Sequence, residues 1–202
     1  MLKRKGAEFI IRDTEYVMDK GQNEPGYNGA KHMEVIQIAA LKVNKKLKIT
    51  ASFNVYVKTK FHPTIAPYFQ KLTKITNQKI KTEGIDFPVA YEKFKEFAGN
   101  LPAYSHGRGG KESDICDGAV LNATMKYHNM HDDNPPNYKN IAEFFAKEYK
   151  EHNMNIKTQT SGEIACIIGC TPEIEHIGLD IHNALYDVYS ILLGLRHFGF
   201  SI

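Results

Sequence analysis

The sequence has no tryptophan and three cysteines in 202 residues: Cys116, Cys166 and Cys170. Three thiols give no disulfide framework, and the four-residue step from Cys166 to Cys170 suits one face of a helix better than a zinc or redox pair. A reducing, intracellular setting follows as the expectation. No apolar run approaches the ~20 residues of a membrane-spanning helix. The opening stretch has basic residues but only a short apolar run before Arg12 and Asp13, so no secretory leader is expected. Internal repeats, low-complexity tracts and Pro/Gly-rich linkers are also missing, and one domain over residues 1–202 is expected. Acidic residues are absent between Glu34 and Glu83, a stretch that carries ten lysines. With 26 basic and 23 acidic side chains the formal charge is only +3, so the layout says more than the total. One basic face is expected, and nucleic acid is the commonest polyanion such a face attracts.

What is present reads as a mixed α/β chain. Residues 7–17, 33–44 and 46–60 read as three strands. In the third, Ile49, Ala51, Phe53, Val55 and Val57 alternate with mostly polar residues. The short Asn44-Lys45 link between the second and third reads as a hairpin. Helical spacing follows over 65–76 and 88–99. A short strand at 101–107 leads through a glycine-rich loop into a helix at 114–128. Helices are then expected at 141–152, 161–169 and 183–198, and NYKNIA (137–142) is the candidate fifth strand. Three consecutive strands followed by alternating helix and strand predict one mixed sheet with helices packed on it.

Three acidic signals stand out. Asp13 and Glu15 are two apart at the end of the first strand, which puts both side chains on one face. Two buried carboxylates repel each other, and a hard divalent cation relieves the repulsion through oxygen ligands. Asp114 and Asp117 are three apart and share a helix face. Asp117 precedes Val120 and Leu121, which would pack on the core, so it would point towards the sheet end. Asp114 is the alternative, as it could instead cap the helix. His182 and Asp187 form H-x4-D in HNALYD. Five residues do not return to one helical face, so His182 must project from the preceding loop if both serve one site.

Taken together these residues resemble the DEDDh 3′→5′ exonucleases of the ribonuclease H-like exonuclease superfamily. FIIRDTEY resembles the family's first strand and motif, and MEVIQIAALKVN its second strand. HPTIAPYFQKLTKITNQKI is similar to the stretch after the third strand, and SGEIACIIG with HNALYDVYSIL to the final motif. The resemblance runs from about residue 7 to 199. It implies a ribonuclease H-like fold, with an antiparallel three-strand meander, further parallel strands and flanking helices. It implies that Asp13, Glu15, Asp117 (or Asp114) and Asp187 hold two Mg²⁺ or Mn²⁺ ions, and that His182 is the general base. The sister group uses a Tyr four residues before the last Asp; here that position is Asn183. By the same resemblance Thr14 and Tyr16 flank the 3′-terminal nucleotide of DNA or RNA. The loop GRGGKES looks inserted in the middle motif.

The chemistry agrees. Two ions ~3.5–4 Å apart can activate a water and relieve charge on the leaving oxygen, and a His with a pKa near ~6.5 suits proton abstraction near neutrality. Two other readings stand beside this one: a nucleic-acid-binding module of the same fold without catalysis, and a phosphodiesterase acting on small dinucleotides. The oligomeric state is open, a homodimer included. SHGRGGKES fails the phosphate-loop pattern, and His128 and His131 with Asp132 and Asp133 form a second, less specific arrangement of metal-ligand types.

Overall fold

The structure is a computed structural model and describes residues 9–19, 31–107, 117–156, 160–171, 174 and 178–201. The alternation of Phe9–Asp19 (β1), Lys31–Val43 (β2) and Ile49–Lys58 (β3) gives three strands in an antiparallel meander. The β2–β3 turn is longer than the expected two-residue link. It spans 44–48, with the Asn44 side chain accepting from the Lys46 and Lys48 amides and Leu47 at a φ of 54°.

Where one helix is expected over 65–76 there are two short ones, Pro67–Thr73 (α1) and Asn77–Glu83 (α2). Lys74 adopts a left-handed conformation that ends α1, and the Thr76 hydroxyl then accepts from the Lys79 amide to start α2. A two-residue strand, Ile85–Asp86 (β4), pairs with the end of β3. Phe87–Ala98 (α3), Ala103–Ser105 (β5), Asp117–Tyr127 (α4), Tyr138–Asn140 (β6), Ala142–Glu151 (α5), Glu163–Ile167 (α6) and Ala184–His197 (α7) complete the chain. The sheet order is β4-β3-β2-β1-β5-β6, with β5 and β6 parallel to β1. Cys170 falls beyond the end of α6, which shortens the helix read over 161–169.

The period of β1 sorts its side chains between two layers. Phe9 and Ile11 pack with Phe145 and Tyr149 of α5 and with Val188, Ile191, Leu192 and Leu195 of α7. Ile10 packs on the other face with Phe87, Tyr91 and Phe94 of α3 and with Val120 and Leu121 of α4. A third cluster joins Val17, Ile36 and Tyr56 to α1 and α2 through Phe69 and Ile80. β1 is therefore buried on both faces and hydrogen-bonded by β2 along its length, whereas β5 pairs with it only at Ile10 and Ile11. From Arg12 onward no strand among the described residues pairs with that edge of β1. Among the described residues no helix is long and apolar enough to cross a membrane.

Close packing of α7 depends on Gly194. A methyl group there would lie 2.5 Å from both Ile164 Cγ2 and Phe145 Cε1. We expect Gly194→Ala to destabilise the fold by about 1–3 kcal/mol despite alanine's better helix propensity. A lower urea midpoint at unchanged slope is the signature, and an unchanged midpoint would show that α5 and α6 yield.

Candidate active site

Beyond Ile11 the α7-facing positions of β1 change from apolar to acidic. Asp13 and Glu15 continue the Phe9–Ile11 row and are 6% and 8% exposed. Asp187, 3% exposed, meets them from the first turn of α7. Carboxylate oxygens of Asp13, Glu15 and Asp187 all lie within 4.8 Å of one another.

The α7 N-terminus is fixed by residues that sequence reasoning did not single out. Gln37, buried on β2 opposite Glu15, donates to Asn183 Oδ1 (3.1 Å) and accepts from the Ala184 amide (3.0 Å). Asn183 in turn accepts from the Leu185 amide as the helix cap. The Ser161 hydroxyl sits between two carboxylates, 3.1 Å from Asp13 Oδ1 and 2.9 Å from Asp187 Oδ2. It has one proton and donates to one of them at a time. Ser190 binds the same loop to α7, donating to the Gly162 carbonyl and accepting from the Ala165 amide. A lone Ser or Gln has no motif, and only the tertiary contacts give these residues a role.

Asp117 comes from the other layer. It is the first residue of α4, 8% exposed, and reaches the open edge of β1 on the side of Arg12 and Thr14. The Thr14 hydroxyl donates to Asp117 Oδ1 (2.9 Å), and Arg12 Nη1 lies 3.5 Å from Asp117 Oδ2. Asp117 is near enough to raise the pKa of Asp13 and Glu15 by repulsion, but it stands outside the three-residue cluster. Asp114, its alternative, lies outside the described residues. The side chain of Tyr16 packs at the margin of the α3–α4 cluster.

His182 lies in the loop just before the helix cap, at a φ of 68°. This meets the requirement that it project from the loop. Its ring is half-buried, and the acidic groups acting on it are Glu163 and Asp180 rather than the buried cluster. Burial holds its pKa below the ordinary value. Of the other arrangement, the His128 ring lies against Phe87 and His131 pairs with exposed Asp133, so the two imidazoles serve different neighbours.

The electrostatics follow from burying like charges. Desolvation, then repulsion by Asp117, Asp187 and Glu15, raises Asp13 well above the carboxylate range. Desolvation and the charges of Asp187 and Asp117 do the same to Glu15. Burial pushes Asp187 up to about 7, against the pull of the Ser161 hydroxyl and the His182 backbone amide. Asp117 is also raised by burial, with Arg12 and Thr14 opposing. Two further observations bear on whether a cation fits. Asp187 Oδ1 is buried and has no hydrogen-bond partner among the described residues. Gly162 backs closely against it, and only a residue without a side chain fits there, since a methyl group would lie 2.5 Å from that oxygen. A crowded, oxygen-only donor set with a free lone pair fits a hard divalent cation.

Raised acids bind more protons in the folded than in the unfolded state, so the ion-free fold loses stability as pH rises from about 4 through 7. We expect Asp13→Asn to melt higher than the parent at pH 8 in chelator, by about 2–4 °C for each kcal/mol relieved. The gap should close towards pH 4, and Mn²⁺ should raise the melting temperature of the parent more than that of the variant. Equal melting curves at both pH values would refute the repulsion.

Comparison with known proteins places these features. The exonuclease family model of RNase T type matches residues 10–193. The nuclease domain of 3′hExo, a DEDDh family member bound to rAMP, superposes with a TM-score of 0.64 at 20% identity over 95% of this chain and 91% of that one. Cell-death related nuclease 4 gives 0.64 at 22% identity, over 94% of this chain and 62% of that one. E. coli exonuclease I in complex with a dA16 oligonucleotide gives 0.63 at 13% identity, over 93% of this chain and 40% of that one. No curated protein matches. With a family match over nearly its whole length, the chain belongs to the exonuclease family, and its mixed sheet has the fold of those nucleases.

Proposed function

We propose that this protein is a metal-dependent 3′→5′ exonuclease that hydrolyses the terminal phosphodiester of DNA or RNA and releases nucleoside 5′-monophosphates, with residues 1–202 acting as one catalytic domain. The observation that carries this reading is the convergence of Asp13, Glu15 and Asp187, all buried, within 4.8 Å. These three would hold one Mg²⁺ or Mn²⁺ ion, and Asp117 with Asp13 a second. Bound divalent ions supply an acidified water and a counter-charge for the leaving 3′-oxygen.

The chain's own groups do the rest. His182 takes the proton of the attacking water. Its lowered pKa keeps the imidazole neutral, and therefore able to accept, to below the ordinary 6.5. For this role the ring would turn from Glu163 and Asp180, the acids acting on it, towards the carboxylates. The Ser161 hydroxyl keeps Asp13 and Asp187 together, and Gln37 with Asn183 fixes the angle at which α7 presents Asp187. Thr14 orients Asp117 and, with Tyr16, borders the place of the terminal nucleotide. The cluster of Asp13, Glu15 and Asp187 favours a working enzyme over a binding module. The rAMP bound by the 3′hExo nuclease domain and the dA16 bound by exonuclease I support a nucleotide product and a single-strand substrate.

With Mn²⁺, a 5′-labelled single-stranded oligonucleotide should give a descending ladder that EDTA abolishes. Internal cleavage, or removal of the labelled 5′ nucleotide first, would contradict the direction. Hydrolysis confined to dinucleotides would support the small-substrate phosphodiesterase instead. His182→Ala should lower kcat by about 10²–10⁴ with little change in KM. Because a methyl at 162 would lie 2.5 Å from Asp187 Oδ1, Gly162→Ala should weaken Mn²⁺ binding measured by calorimetry. Unaltered affinity would show that Asp187 Oδ1 is not a ligand.

A further inference from the structure

Three aromatic rings form a column where β1 ends and β2 begins. The ring of His32 lies nearly parallel to that of Phe61, with 4.2 Å between centroids, and Phe61 lies nearly parallel to Tyr127 at 5.1 Å. Phe61 is 44% exposed even so. The fold holds this exposed column firmly. Glu34, fully buried on β2, accepts from the backbone amides of Lys60, Phe61 and His62, and His62 Nδ1 lies 3.1 Å from it. His62 Nε2 lies 3.3 Å from Asp19 Oδ1, and the other Asp19 oxygen accepts from His32 Nδ1 (2.5 Å). Phe61 is thus fixed through its backbone, and His32 through its ring nitrogen.

The column has an open end. One face of His32 is covered by Phe61 and Nδ1 is tied to Asp19, yet 41% of the side chain is exposed, which leaves the outer face and the Nε2 edge to solvent. The backbone of His32 has a φ of 55°, a left-handed conformation that Gly or Asn adopts more easily. A ring kept at a strained position, tied to a carboxylate and backed by two more rings, is preorganised for a flat partner. The surroundings select which one. Lys60 and Lys126 are exposed and adjoin Phe61 and Tyr127 in the chain, so cationic side chains accompany the rings. The charge of Asp19 is shared by the two imidazoles. Rings flanked by lysines suit single-stranded nucleic acid, whose bases stack while its phosphates meet the cations. The column also continues the strand that carries the acidic cluster. Asp19 lies four residues beyond Glu15, about 13 Å along β1, a distance that a few nucleotides span.

We propose that the outer face of His32, backed by Phe61 and Tyr127, stacks one base of a single-stranded substrate a few nucleotides upstream of the scissile bond. The proposal rests on the exonuclease reading above and adds a second point of grip to it. A stacking face accepts any base, so this site measures the length of the strand and the presence of a base, without reading sequence.

The test is calorimetry of the full chain with oligodeoxyadenylates of two to eight nucleotides, in Ca²⁺ and with strand integrity checked on a gel. For the parent, affinity should rise by about fivefold or more at one added nucleotide beyond the dinucleotide. An abasic unit at that position should undo the rise, whereas abasic units on either side of it should not. His32→Asn keeps a side chain that tolerates the left-handed backbone and can donate to Asp19, but it has no ring. It should lose both the rise and the response to the abasic unit. If circular dichroism shows His32→Asn unfolded, Phe61→Leu takes its place, and removal of the backing ring should at least halve the rise. An affinity that climbs evenly with length, or a folded variant that keeps the parent's response to the abasic unit, overturns the stacking site. Failure of the parent to bind any of the oligomers would overturn the exonuclease reading itself, a different and recognisable outcome.

Discussion

Repulsion between carboxylates held out of water is the constraint to which the rest of this structure answers. A strand buried on both faces is a poor place for acids, because each charge loses its hydration and gains like-charged neighbours. The fold does not remove that penalty. It contains it with the Ser161 hydroxyl between Asp13 and Asp187, Thr14 on Asp117, and the Gln37–Asn183 pair that stops α7 from backing away. Gly162 lets the backbone pack against Asp187 Oδ1, which has no hydrogen-bond partner among the described residues. A buried carboxylate oxygen left without a donor among other acids is the mark of a place made for a cation.

Sequence and space diverge most clearly in the lysines. The acid-free stretch from 35 to 82 suggests one basic face, yet the antiparallel meander splits it. Phe9 pairs with Val43, so the 44–48 turn with Lys45, Lys46 and Lys48 lies beyond the start of β1, whereas Val17 pairs with Glu34 near its other end. Lys58 and Lys60 follow β3 to that other end. Other lysines serve packing: the Lys42 and Lys79 ammonium groups each lie 4.6 Å from a ring centroid, of Phe97 and Tyr56 respectively. A run of like charge along a chain becomes a patch only if the topology keeps it on one side, and a hairpin does the reverse.

The parts of the fold that were legible are those where one periodicity runs long enough to be counted. β3 alternates over its ten residues, β1 and β2 hold extended apolar runs, and the apolar stripe of α7 spans most of its 14. The break between α1 and α2 was hidden because it depends on the backbone of Lys74, a residue with no turn signature, while apolar spacing continues across it. β4 has two residues and no pattern to detect. In the acidic cluster, Asp13 and Glu15 were legible from their two-residue spacing on one strand, and Asp187 through the family resemblance of HNALYD. Ser161, Gln37 and Asn183 were not, since their importance comes from partners more than 20 residues away in the chain. Arg12 did leave a signal, a charge inside an apolar run, but only burial shows that it points inward.

The site also uses the start of α7. Asp187 lies in the first turn of α7, and Asp117 on α4 comes from the other face of the sheet. α7 therefore directs its N-terminus, with roughly half a positive charge from aligned peptide dipoles, at the acids of β1. Among the described residues β5 pairs with β1 only at Ile10 and Ile11. A longer β5 would hydrogen-bond past Asp13 and close the gap through which Asp117 reaches the strand. The shortness of β5 is thus what lets acids from two layers converge on β1, and the start of α7 supplies part of the positive potential that makes their convergence tolerable before any cation is bound.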